Sequence, residues 1–439
     1  MRYLDRIKRN IVRLGDGDWS ALDAFQKEMR GIEPEFHPFD RRYYEWTQEK
    51  NPHKGEGGPQ FWVYRGRDGG IQGQQIGIPF SLSVKGKPYR ASWAVNLMVE
   101  PALRMRGIGN ALSSVHQEDN DIALGIGISD EAYQSYRRAG WIDLGKMGVF
   151  IRPLDARAML PLFGLSDNLL HRTAAGICNG FLRLLDLNAA LVFRLFRGIE
   201  VEPVERFDPR VDQVWEEAGK YYPILAKRDF CSLRWRFDEA VESACYRRYY
   251  LWKRGRVCGY FVLRQGTRDG VNVVNLVDFL CAPRMVSPLI ARALGVARAL
   301  GGAALYCRVS IPRAGRYFRP LGFCRRPSFT RVMAIPNKVS GPAPELLSNP
   351  SSWFVTMADS DGDYFEDQGV HSRPVAEQGR DDMLAATTKT EKLSALEGRF
   401  WCACTDSNRV TSGGVEIFSP FERKRRLPNG IRLFFHHFR

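Results

Sequence analysis

Residues Trp93 to Trp141 constrain this chain more than any other stretch. An apolar run, Trp93-Ala-Val-Asn-Leu97-Met98-Val99, passes through Glu100-Pro101-Ala-Leu into Arg104-Met-Arg106-Gly107-Ile108-Gly109-Asn110. From there Ile108, Ala111, Leu112 and Val115 keep the i, i+3, i+4, i+7 spacing of an amphipathic helix. A strand therefore runs into a glycine turn that opens a helix. Gly107 and Gly109 carry no Cβ, so backbone there can come close to a ligand, and the N–H groups of a first helical turn have no acceptor within the helix. The helix dipole adds partial positive charge at that end, and Arg104 and Arg106 add full charges beside it. The pattern predicts a cradle for a diphosphate.

After this helix come a strand near Ile122 to Ile128, a helix over Asp130 to Ala139, and the element Tyr136-Arg-Arg-Ala-Gly140-Trp141. Strand, Arg104-x-x-Gly107-x-Gly109, helix, second strand and Tyr136-x-x-x-Gly140-Trp141 together resemble the GNAT superfamily of acyl-CoA-dependent N-acyltransferases. The resemblance implies an α/β (α+β) fold, a mixed and mostly antiparallel sheet flanked by helices, and acetyl-CoA or another acyl-CoA as co-substrate. It further implies that Leu97, Met98 and Val99 pair with the pantetheine arm, with a backbone N–H near Val99 polarising the thioester carbonyl. Arg104, Arg106, Gly107, Ile108, Gly109 and Asn110 would hold the diphosphate, and Tyr136 would face the departing thiolate. A phenol near pKa 10 is a weaker acid than a thiol near 8.5, so full proton transfer is uphill by about 2 kcal/mol and a hydrogen bond is the expected service. Glu100, at the end of the cofactor strand, is the first candidate for the base. Asp130 and Glu131 are expected to serve the start of their helix, and His116 to sit on a solvated helix face.

The first domain is expected to span 1–155. Its opening holds a strand at Ile11 to Leu14 and a helix with Leu22, Phe25 and Met29 on one face. An aromatic segment follows, with Phe36, Phe39, Tyr43, Tyr44 and Trp46, which either packs over the core or walls the acceptor side of the site. Short alternating runs at Phe61 to Tyr64, Ile76 to Val84 and Tyr89 to Val99, separated by glycine turns, predict an antiparallel meander. Residues 156–204 read as an amphipathic connector, with Arg183, Asp186, Arg194 and Arg197 on one narrow stripe. Such a helix is either buried between domains or lies in a membrane interface.

Residues 205–337 repeat the order of elements and are expected to form a second, degenerate GNAT-like domain. Arg284-Met-Val-Ser-Pro-Leu stands where the first copy has its glycine turn, and Phe318 stands for Tyr136. Residues 338–439 are expected to be an irregular segment and tail. Asp359-Ser-Asp361-Gly-Asp363 has the start of a calcium loop, but Tyr364 and Val370 break it, so no metal is expected. The run from Arg423 and the pair His436-His437 read as solvated side chains.

With 44% hydrophobic residues in 439, the chain can bury two cores. Its nine cysteines, an odd number without a Cys-x-x-Cys pair, read as reduced thiols. No apolar run reaches about 18 residues and no signal-peptide core opens the chain, which predicts a cytoplasmic protein, with peripheral contact at the inner membrane face as an added option. The net charge of +15 attracts anions of every kind. The leading expectation is transfer of an acetyl or other acyl group from CoA to a primary amine. The tandem layout resembles bacterial tandem acyltransferases of cell-surface polysaccharide synthesis, which points to an amino sugar or glycan precursor as acceptor. The alternatives are a Fem-type aminoacyl transferase and a non-catalytic basic protein binding membrane or glycan. Nucleic acid is disfavoured, since no nucleic-acid-binding signature is present.

Overall fold

The computed structural model describes residues 2–32, 40–194, 198–328 and 330–363. Phe36, Phe39, Arg197, the Arg423 run and the closing histidines lie outside them. Its strands are β1 (Ile11–Arg13), β2 (Phe61–Arg65), β3 (Ile71–Val84), β4 (Lys87–Val99), β5 (Ile122–Ile126), β6 (Ile142–Lys146), β7 (Gly148–Pro153) and β8 (Ile199–Val204). They continue with β9 (Ile224–Ala226), β10 (Tyr246–Lys253), β11 (Arg256–Arg268), β12 (Val271–Cys281), β13 (Ala304–Val309), β14 (Cys324–Arg326), β15 (Arg331–Pro336) and β16 (Trp353–Phe354). The helices are α1 (Arg2–Lys8), α2 (Trp19–Ile32), α3 (Arg41–Tyr44), α4 (Ile108–Glu118), α5 (Asp130–Arg138) and α6 (Leu169–Arg194). Then follow α7 (Val211–Ala218), α8 (Phe230–Leu233), α9 (Val286–Ala299), α10 (Ala314–Phe318) and α11 (Pro344–Leu347).

Hairpins set the register. Lys85-Gly86, Arg254-Gly255 and Asp269-Gly270 each put two successive residues at positive φ, the twist that joins antiparallel strands through a two-residue turn. Two sheets result. One runs β1-β2-β3-β4-β5-β15-β6, with β9 joined to β3 and β16 to β9; the other runs β14-β7-β13-β12-β11-β10-β8. Within them β4–β5, β12–β13 and the short β9–β16 pair are parallel, and the remaining pairs are antiparallel.

The span 1–155 expected for the first domain includes β7, but β7 pairs in the second sheet, between β13 and β14. In return β15 enters the first sheet between β5 and β6. Alternation in a short strand says that one face is buried, not which sheet buries it. The exchange reaches both cores: Phe150 of β7 stacks on Phe318 at 4.4 Å, while Met333 of β15 packs with Tyr136 and Trp141.

A second tie is symmetric. Asp40 caps α3 by accepting from the Tyr43 N–H at 2.8 Å, and Asp229 caps α8 by accepting from the Ser232 N–H at 3.0 Å. At the same spacing beyond each cap stands a tryptophan. Trp46 Nε1 donates to the Trp235 carbonyl at 3.0 Å, Trp235 Nε1 donates to the Trp46 carbonyl at 2.8 Å, and their rings stack at 5.5 Å. Tyr43 and Trp46 are thus committed to the junction between the halves, and Tyr43 also donates to Asp361 at 2.8 Å.

Residues Trp353 to Asp363 lie in that junction although their sequence has no periodicity. Asp359 and Asp278 both pair with Arg228, and Asp363 pairs with Arg236, all buried. Each carboxylate of the Asp-Ser-Asp-Gly-Asp stretch is therefore bound to protein groups. No cluster that could hold a metal ion occurs among the described residues, and none of their helices is long and apolar enough to cross a membrane.

Candidate active site

The site begins where two parallel strands part. β4 pairs with β5 only over Ala91 to Ala94, while it stays paired with β3 as far as Val99. Just past the parting, the register against β3 slips by one residue, so that Asn96 and Leu97 together oppose Gln75. Asn96 sits at φ 53° in this bulge, the left-handed conformation that an L side chain resists. Gln75 Nε2 donates to the Val95 carbonyl at 3.0 Å, which steadies the kink from β3. Beyond it, Leu97 to Val99 face the gap without a backbone partner on the β5 side among the described residues. Asn96 escaped the sequence reading, which centred this feature near Val99; an asparagine inside a strand was the available signal.

The same strand delivers the chain into the glycine turn. Gly107 caps α4 at φ 79°, and the first helical bond runs from the Ala111 N–H to the Gly107 carbonyl at 3.0 Å. The N–H groups of Ile108, Gly109 and Asn110 lie ahead of that bond, where a helix supplies no acceptor. A Cβ placed on Gly109 would meet only Leu97 and Val99, each at 3.9 Å, so the turn lies directly on the strand edge. On its other side stands α1: a Cβ on Gly107 would meet Ile7 at 3.4 Å and Tyr3 at 3.5 Å, and the Tyr3 hydroxyl donates to the Arg106 carbonyl at 3.0 Å. Arg104 Nε donates to the Val99 carbonyl at 3.1 Å, whereas the Arg106 side chain is exposed. The structure thus brings Leu97, Met98, Val99 and the Arg104 to Asn110 turn into one corner.

Tyr136 reaches the same corner from α5. It is buried, stacks on Trp141 at 4.3 Å, and lies against Gly125, where the second parted strand leaves the pairing. Ser135 beside it donates to Asn110 Oδ1 at 2.7 Å, which ties α5 to the glycine turn. Burial pushes the Tyr136 phenol up, and the nearby Ser113 hydroxyl offsets part of that. The group therefore stays protonated and able to donate. Glu100 closes β4, its N–H donating to the Gln72 carbonyl at 3.0 Å. Burial raises its carboxyl, and the negative charges of Glu28 and Asp68 raise it further. At the start of α5 the cap is Ser129, accepting from the Ala132 N–H at 3.3 Å.

His116 is not solvated. It is fully buried, with neither ring nitrogen bonded, edge-on to Trp62 at 5.6 Å, and burial alone pushes it down to about 3. Its spacing of eight and four residues from Ile108 and Leu112 puts it on their buried face, not on the solvated face expected from the sequence. A small cavity of about 60 Å³ lies between the halves, lined by His53, Phe80, Trp93, Ser232 and Arg236. That is room for a few waters and not for a substrate. His53 lies 2.8 Å from the Ser232 hydroxyl, which donates to Asp229 at 2.6 Å; burial lowers the imidazole there.

The second half repeats the parting without the cradle. β12 pairs with β13 only over Val274 to Leu276, and its register against β11 also slips directly afterwards. Buried Val286, Leu289, Ile290 and Leu294 of α9 repeat the pattern of Ile108, Ala111, Leu112 and His116 of α4. On that alignment Met285 replaces Gly107, Ser287 replaces Gly109, and Pro288, which has no N–H, replaces Asn110.

No family model and no curated protein matches the chain. Solved structures do. A GCN5-related N-acetyltransferase from Anabaena variabilis aligns at a TM-score of 0.50 and 13% identity, over 75% of this chain and 73% of that one. A GCN5-related N-acetyltransferase from Kribbella flavida gives 0.47 and 12%, over 74% and 70%. Saccharomyces cerevisiae N-myristoyltransferase with bound myristoyl-CoA gives 0.46 and 12%, over 74% and 78%. At such identity a likeness speaks to architecture, and with two mixed sheets on the page the chain has the fold of the GNAT-type acyl-CoA N-acyltransferases.

Proposed function

We propose that this chain transfers an acyl group from an acyl-CoA to a primary amine, and that its first half does the work. One observation carries the reading: an unpaired strand edge, Leu97 to Val99, meets the open N-terminus of α4 at Gly109. The residues fit the co-substrate. Its amide-bearing arm can pair with that edge as an added strand would, and its diphosphate can take the N–H groups of Ile108, Gly109 and Asn110 with Arg106 beside them. The thioester supplies the acyl group. A backbone N–H of the bulged strand, near Val99, is the group that can polarise its carbonyl.

Tyr136 holds its proton and offers a hydrogen bond to the leaving sulfur. Its raised pKa makes outright transfer to a thiolate still less favourable than for a free phenol, so the bond and not the proton is what it gives. Glu100, raised above the ordinary carboxylate range, is the candidate that takes the amine proton. Acetyl is the first donor to test and an amino sugar the first acceptor. Tyr43 and Trp46 lend that acceptor no support, because both are spent on the junction.

The test is thermal denaturation with CoA and acetyl-CoA for wild type and Gly109→Glu, followed by thiol release with a panel of amines that includes amino sugars. Wild type should melt higher with either ligand, and the variant should not respond. A wild type indifferent to both ligands while charged tRNA stabilises it would turn the reading toward aminoacyl transfer.

A further inference from the structure

α6 is built inside out on one side. Its inner face, with Ala175, Leu182 and Leu185, packs against the second half. Buried Arg152 fastens it there: Nη2 donates to the Leu182 carbonyl at 3.2 Å and meets Asp186 at 2.9 Å, while Nε donates to the Leu321 carbonyl at 3.0 Å. The opposite face should then be polar. Instead it carries Leu169, Leu170, Ile177, Phe181, Leu184 and Leu187, each between 56% and 81% exposed. Leu170, Ile177 and Leu184 recur every seventh residue, which holds them on one line along the helix, and the stripe runs for about 27 Å. Soluble monomers seldom expose so much contiguous apolar surface, and where they do it marks an interaction.

Charge identifies what covers it. Arg183 is exposed on the flank of the stripe. The segment on which α6 rests, 313–326, exposes Arg313, Arg316, Arg319, Arg325 and Arg326 and contains no acidic residue. None of these five is ion-paired among the described residues. A second copy of the chain meeting this face through a two-fold axis would bring the arginine run toward its own twin. An anionic bilayer complements both features at once: headgroup phosphates take the arginines while the leucines and the phenylalanine enter the acyl boundary. The helix is not apolar enough to cross a membrane, so it would lie in the surface.

We propose that α6 and the adjoining arginine segment dock the protein on an anionic phospholipid surface, a property separate from acyl transfer. The experiment is sedimentation of the full chain with vesicles of phosphatidylcholine alone or mixed with phosphatidylglycerol. Variants are Phe181→Glu, Ile177→Glu and the pair Arg316→Glu with Arg319→Glu. All four positions are exposed, and melting curves check the fold. Wild type should sediment with the mixed vesicles, weakly with phosphatidylcholine, and less as salt rises. Either glutamate on the stripe should lower partitioning by about tenfold or more, and the arginine pair should abolish the preference for phosphatidylglycerol. Wild type that stays in solution with mixed vesicles overturns the proposal, as does Phe181→Glu sedimenting like wild type. A dimer seen by light scattering that Phe181→Glu converts to monomer, with no vesicle binding by either form, assigns the stripe to a second copy and also overturns it.

Discussion

In the first half, the β4 edge beyond Ala94 is left to the gap. In the second half, the gap beyond Leu276 holds protein: the Ala358 N–H donates to the Val277 carbonyl at 3.2 Å, and Val355 bridges to Ser310 in both directions at 2.8 Å. Thr356 donates to Asp278 at 2.7 Å and Phe354 lies edge-on to Phe279 at 5.5 Å. One cleft thus stays open along its strand edge, and the other is closed by the chain's own residues Trp353 to Asp359. The glycine turn survives beside the open cleft and is replaced by Met285, Ser287 and Pro288 beside the closed one. The comparison teaches that a repeated fold can use the same parted strands in two ways, left open as an edge in one half and sealed as a seam in the other.

If the seam is structural, breaking it should cost stability and leave ligand binding alone. Asp363→Ala strips the buried carboxylate from Arg236, whose remaining partners are the Ala358 and Ser360 carbonyls and the Tyr246 hydroxyl. An unpaired buried guanidinium costs about 3–5 kcal/mol, and denaturant unfolding should show a loss of that size. The folded fraction should still respond to CoA. A variant that keeps its stability would show the seam to be dispensable. At the open cleft the converse holds. Gly109→Glu adds a Cβ in ordinary contact with Leu97 and Val99, so the melting point without ligand should stay near wild type. The stabilisation by CoA, about 2.7 kcal/mol at a hundredfold excess over Kd, should vanish.

Tyr136→Phe gives the first half the residue that the second half has at Phe318. Tyr136 stacks on Trp141, whereas Phe318 meets the corresponding Phe323 edge-on and stacks on Phe150; loss of the hydroxyl alone leaves the Tyr136 ring contacts in place, so folding should be preserved. What goes is a hydrogen bond to a charged sulfur, worth about 1.5–3 kcal/mol at most, so the turnover number should fall by roughly ten- to a hundredfold with little change in KM. An unchanged turnover number would reduce Tyr136 to a core residue.

Much of this site was legible because it is local. The strand, turn and helix from Trp93 to Glu118 draw on neighbours within a few residues. The exchanged strands were not legible: Phe150 finds Cys307 and Arg325, and nothing in a six-residue run specifies so distant a partner. Trp353 to Asp363 hid for another reason. Its aspartates have the start of a calcium loop in sequence, and nothing near them names their partners Arg228 and Arg236, more than a hundred residues earlier. The outer face of α6 was legible as apolar periodicity, but only coordinates separate the buried side from the exposed one.

The smallest expected effect comes from His116, a buried position of α4 that Leu294 fills in the second half. Folded His116 is held near 3, far below the ordinary 6.5, because burial excludes the imidazolium and no partner receives its protons. The unfolded chain takes up a proton below 6.5 that the folded chain refuses, so stability is whole above that value and drains as pH falls toward 3. Between about pH 7.5 and about pH 5.5 the loss amounts to roughly 1.4 kcal/mol. His116→Leu copies the second half and removes the group. Its unfolding free energy should fall less than wild type over that interval by this amount, while at about pH 7.5 it should be no less stable, since two unbonded nitrogens leave the core. Equal acid sensitivity in both proteins would mean that His116 meets water or a hydrogen-bond acceptor that holds its imidazolium in the folded state.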